Sequence, residues 1–97
     1  MTNFKKANLH GSNLRGVDLY GADLQEANLR GANLYGANFI EANIEGADFE
    51  GANLEGVQNL SFYLLSRVKT LYTTKLDEEL FIPLKNKYPA RFEKPGE

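Results

Sequence analysis

The chain has no cysteine, no tryptophan, a single histidine (His10) and only three prolines, all in its last stretch at Pro83, Pro89 and Pro95. The absence of cysteine excludes disulfides, thiolate nucleophiles and cysteine-based metal sites, and leaves the redox compartment open. No apolar run approaches the roughly 18 residues that a helical membrane span needs. The opening Met1-Thr2-Asn3-Phe4-Lys5-Lys6 lacks the apolar core of a signal peptide, so a cytoplasmic protein is expected. Neither sign of charge dominates: 11 Lys and Arg face 13 Asp and Glu, for a net charge of −2. A basic surface for nucleic-acid backbone is therefore missing. Neither nucleic acid nor a membrane is an expected partner.

What is present is a repeat. From Thr2 the chain divides into eleven five-residue units centred on Phe4, Leu9, Leu14, Leu19, Leu24, Leu29, Leu34, Phe39, Ile44, Phe49 and Leu54. Asn or Asp precedes every centre. Two places before it stands Ala in eight units, with Thr2, Ser12 and Val17 as the exceptions. Gly closes eight units, with Lys6, Glu26 and Glu41 as the exceptions. A period of five fits neither a 3.6-residue helix nor a two-residue strand, so the chain must turn once per unit. Gly accepts backbone angles that other residues resist, and Asn or Asp can hydrogen-bond the local backbone. Each unit thus supplies a large plug, a small spacer and its own corner. Stacked neighbours are needed to bury the plugs, which makes the chain a solenoid.

The pattern resembles the pentapeptide-repeat family, whose motif is A-(D/N)-L-X-X, and the match covers residues 2–56. The resemblance implies an all-β solenoid: a right-handed quadrilateral β-helix of just under three coils, one unit per side. Units four apart would then stack, as in Asn13, Asn33 and Asn53. The segments Val68-Lys69-Thr70-Leu71-Tyr72, Lys75-Leu76-Asp77 and Lys87-Tyr88-Pro89 also resemble the tail that follows the repeats in many bacterial members.

The register is expected to end after Gly56. Residues 57–92 read as a helical C-terminal cap of two short α-helices, and 93–97 as a disordered tail. Ser61 is a candidate N-cap. Leu64, Leu65, Val68, Leu71 and Tyr72 follow helical spacing to about residue 72. Asp77 is the candidate N-cap of the second helix, with Glu78 and Glu79 in its first turn. Pro83 should kink or shorten that helix, and Pro89 should stop it. Such a cap would cover the open end of the last coil.

Catalytic chemistry is not expected. His10 falls outward beside no partner motif, Ser12 is a spacer and Ser61 a cap, and no phosphate-binding glycine pattern occurs. Glu45, Glu50 and Glu55 fall on three different sides and cannot converge on a metal. No catalytic, metal or cofactor-binding residue is assigned, and no cofactor is expected.

Two surfaces remain. Tyr20 and Ile40 should stack on one side, with Tyr35 on the neighbouring side above Arg15, forming a candidate interaction surface. The plugs of the first coil, Phe4, Leu9, Leu14 and Leu19, form an N-terminal edge that a head-to-head homodimer would bury. The expectation is a non-catalytic interaction or structural scaffold with an unidentified protein partner. The family resemblance adds an alternative, a DNA mimic that binds a type II topoisomerase (gyrase) or another DNA-binding protein. A further alternative is a regulatory or assembly appendage of a larger protein.

Overall fold

A computed structural model describes residues 2–96. The repeat region is a solenoid in which residues 20 apart pair in parallel. The bridges run Asn3 to Asp23 to Asn43, Asn8 to Asn28 to Asp48, Asn13 to Asn33 to Asn53, and Asp18 to Asn38 to Gln58. Each contact is an isolated bridge at the Asn/Asp place. With one turn per five residues, no side is long enough to become an extended strand.

The unit Ala27–Gly31 shows why the sequence takes this form, because each of its five amides has its own acceptor. Ala27 donates to the Leu24 carbonyl at 3.1 Å, closing the turn. Asn28 donates to Ala7 in the preceding coil at 2.9 Å, while Leu29 and Gly31 donate to Asp48 and Glu50 in the next at 2.8 and 2.9 Å. The Arg30 amide points to neither neighbour. It is taken by the Oδ1 of Asn28, at 3.1 Å. The same side-chain bond, 2.9–3.3 Å long, recurs in all eleven units. Asn or Asp thus supplies an acceptor where the amide has no backbone acceptor in reach.

The fifth place is left-handed throughout, with φ between 57° and 73°, and the three residues other than Gly are no exception: Lys6, Glu26 and Glu41 sit at 60°, 57° and 58°. The plugs of the later coils are sealed, with Leu24, Leu29, Leu34, Phe39, Ile44, Phe49 and Leu54 all at 0% exposure. Truncating any of these plugs to alanine should cost about 2–5 kcal/mol.

Past Gly56 the structure departs from expectation. Helix α1 spans only Phe62–Leu65, capped by Ser61, whose Oγ accepts from the Leu64 amide at 3.1 Å. It does not reach residue 72. Beyond it the chain rejoins the solenoid, and Thr70 and Lys75 bridge Asp48 and Asn53. Thr70 acts as an Asn would, its Oγ1 accepting from the Tyr72 amide at 3.0 Å. Leu71 is the sealed plug, and Thr73 takes the left-handed fifth place at φ 56°.

Helix α2 spans Glu78–Lys87 and contains Pro83 without being cut short by it. It ends at Tyr88, where a 3-10 turn begins, Pro89–Phe92. Asp77 stands at the N-terminus of α2, yet its side chain makes no cap bond there. Its Oδ2 instead accepts from the Gly56 amide of the last full unit, at 3.0 Å. The Leu71 amide donates to the Arg91 carbonyl at 2.7 Å, so the 3-10 turn and the residues before α2 cover the C-terminal end. The tail expected over 93–97 runs to Glu97, which lies outside the described residues.

Candidate functional site

In every unit the residue after the plug points outward, because the plug and spacer fill the interior. Those at Tyr20, Tyr35 and Ile40 are the large apolar ones, with exposures of 54%, 41% and 37%. The backbone places Tyr20 and Ile40 in adjacent coils on one side: flanking amides at Leu19 and Gly21 donate to Asn38 and Ile40 at 2.8 and 2.9 Å. Tyr35 lies on the neighbouring side, one coil after Arg15.

The Tyr35 ring stacks on a cation from the preceding coil. The Arg15 guanidinium carbon lies 4.5 Å from its centroid. The Glu41 carboxylate raises the pKa of the Tyr20 phenol above the usual 10.0, first by hydrogen bonding and then by its charge. These side chains sit on a scaffold whose turns are closed by Asp18, Asn33 and Asn38. The arrangement is a small, rigid apolar surface with a cation at one margin and a carboxylate at the other.

Phe4, Leu9 and Leu14 are half-buried, while Leu19 is 4% exposed. Across coils, Arg30 meets Glu50 at 3.1 Å and Asp48 at 3.9 Å. Lys6 and Glu26 are not within ion-pair distance. Glu45 pairs with Arg67 at 3.4 Å, a partner that the shortness of α1 brings into reach.

A polar cleft that sequence reasoning missed lies beside Arg30. Asp48, Glu50, Lys69 and the tail at Lys94–Gly96 line it. Only the return of residues 69–75 to the solenoid brings Lys69 there. The signal available was the five-residue spacing of Leu71 and Leu76. Among the described residues, no three His, Asp or Glu side chains are grouped to hold a metal ion. No described helix is long and apolar enough to cross a membrane.

The family model described as pentapeptide repeats matches residues 2–19 and 18–56, in 8 copies. Among solved structures, the chain is similar to a pentapeptide repeat protein from the Arabidopsis thaliana thylakoid lumen, with 26% identity and a TM-score of 0.61. That match covers 87% of this chain and 61% of the other. A second is QnrB1, a plasmid-mediated fluoroquinolone resistance protein, at 25% identity and TM-score 0.38, covering 79% of this chain and 42% of that one. A third is a pentapeptide repeat protein from Nostoc Pcc 7120, at 33% identity and TM-score 0.29, covering 77% and 64%. The chain thus spans less than two thirds of the length of each. No curated protein matches it.

Proposed function

The chain belongs to the pentapeptide repeat family, and on that premise we propose that it is a non-catalytic protein-interaction scaffold. Its repeat region is a right-handed quadrilateral β-helix of just under three coils, followed by a helical cap. The scaffold binds a protein partner through Tyr20, Tyr35 and Ile40. The observation that carries this reading is the stacking of the Arg15 guanidinium on the exposed Tyr35 ring, 4.5 Å from its centroid. An aromatic held in its exposed position before binding loses little conformational freedom when a partner covers it. Aromatic side chains are also the commonest anchors of interfaces.

DNA mimicry calls for a continuous negative face. Here Arg30 lies against Asp48 and Glu50, and Arg67 against Glu45, so cations interrupt the acidic surface of the later units.

The test is capture from the source lysate with the wild-type chain and with a Tyr20→Ala, Tyr35→Ala, Ile40→Ala variant of unchanged circular dichroism. A protein held by the first and lost by the second supports the scaffold reading and identifies the partner. Equal capture by both removes this surface from the function.

A further inference from the structure

The two ends of the solenoid present different hydrogen-bonding groups. Each plug amide and each fifth-place amide points toward the C-terminal end, as when Leu9 and Gly11 donate to Asn28 and Arg30 at 2.8 Å each. Each Asn/Asp amide points the other way, as when Asn28 donates to Ala7 at 2.9 Å. In the first three units, the N-terminal end therefore shows the amides of Asn3, Asn8 and Asn13. It also shows the carbonyls of those three residues and of Lys5, His10 and Arg15. None of these groups has a backbone partner among the described residues. The face is rich in acceptors: three donors against six carbonyls.

That ratio selects the occupant. Two such faces set head to head would pool six donors against twelve carbonyls and leave at least six carbonyls unpaired, so the expected homodimer matches poorly. The C-terminal face of a similar coil offers the converse set, six amides and three carbonyls, and leaves none. A second copy of this chain cannot supply it. Its own C-terminal end is engaged, with Leu71 donating to Arg91 and Gly56 to Asp77. Inside the rim, Phe4, Leu9 and Leu14 are only partly buried, whereas Leu24, Leu29 and Leu34, one coil on, are at 0% exposure. The charge of the first coil is Lys5, Lys6 and Arg15 against Asp18 alone.

We propose that the first coil is a docking face for the open, acid-rich C-terminal end of another solenoid protein built from five-residue units, seated head to tail so that the backbone ladder continues across the junction. This face is separate from the Tyr20, Tyr35 and Ile40 surface and does not depend on it.

The probe is a designed solenoid of repeated Ala-Asp-Leu-Glu-Gly units, its N-terminal end fused to a folded carrier and its C-terminal end open, with folding established by circular dichroism. A second probe has the same units closed by a C-terminal helix. Calorimetric titration of the full chain should give a one-to-one complex with the open probe and none with the closed one. In the complex, the amides of Asn3, Asn8 and Asn13 should exchange at least about tenfold more slowly. A Lys5→Glu, Lys6→Glu variant should bind roughly tenfold more weakly, and the Tyr20, Tyr35, Ile40 triple variant as tightly as wild type. No complex with the folded open probe would overturn the proposal. Equal binding of both probes would also overturn it, as would protection of the same three amides by self-association of the chain alone.

Discussion

Arg15 and Tyr35, one coil apart, stack with the guanidinium carbon 4.5 Å from the ring centroid. An exposed cation–π contact of this kind is worth about 0.5–1 kcal/mol. Its larger consequence is to hold the ring in place. Arg15→Ala should cost about that much in chemical denaturation and weaken partner binding further than its stability loss explains. Equal binding by wild type and Arg15→Ala would show that the ring needs no such support.

The Asn/Asp place is set by a side-chain acceptor, not by charge or size. Asn33→Ala leaves the Tyr35 amide without its 3.1 Å partner and should destabilise by about 1 kcal/mol. Asn33→Asp retains the acceptor and should lose much less. Urea midpoints for the two variants check the difference.

Glu26 occupies a left-handed position, φ 57°, where a side chain is strained. Glu26→Gly should raise stability by about 1 kcal/mol, or about 4–8 °C in Tm for a domain of this size. A fall in Tm would mean that the Glu26 side chain, packed over Gly46, contributes more than the strain costs.

Glu41 raises the pKa of the Tyr20 phenol above 10.0 through its hydrogen bond and its charge. A raised pKa in the folded state means that this contact adds stability below the unfolded phenol's pKa and is lost as pH rises through the folded one. Glu41→Gln should bring the Tyr20 titration, followed by NMR at its ring carbon, back toward the ordinary tyrosine value. An unmoved titration would show that the phenol and carboxylate do not meet.

Thr70 takes the Asn role beyond the regular repeat. Thr70→Val removes the acceptor of the Tyr72 amide and the donor to the Arg91 carbonyl. It should destabilise by about 1–2 kcal/mol, and Thr70→Asn should restore most of the loss. Thermal melts of the pair would decide this.

The repeat was legible because Phe4 through Leu54 recur at one spacing with fixed neighbours, and four-unit stacking followed from the family pattern. Tyr20, Tyr35 and Ile40 could be placed outward from that register alone. The return of the chain at Thr70 and Lys75 was hidden by a coincidence of spacings. Val68 and Leu71 are three apart, which suits a helix, and Thr stands where Asn or Gly is usual. A β-branched residue such as Thr73 at positive φ is disfavoured unless neighbours enforce it; here the pairing of Thr70 and Lys75 with the preceding coil does so. Asp77 reads as a helix cap in the sequence, and its actual role as acceptor for Gly56 was hidden because only the fold brings Gly56 within reach.

Amide hydrogen exchange of the monomeric chain, read by NMR, tests the hydrogen-bond lattice most directly. The amides of Leu29 and Gly31, bonded to Asp48 and Glu50, should be among the slowest to exchange. Those of Asn8 and Asn13, at the same places in their units as the protected Asn28 and Asn33, should exchange near the rate of an open chain. Asn13 as protected as Leu29 at low concentration, or Leu29 as open as Asn13, would contradict the assignment of a separate destination to each amide of the five-residue unit.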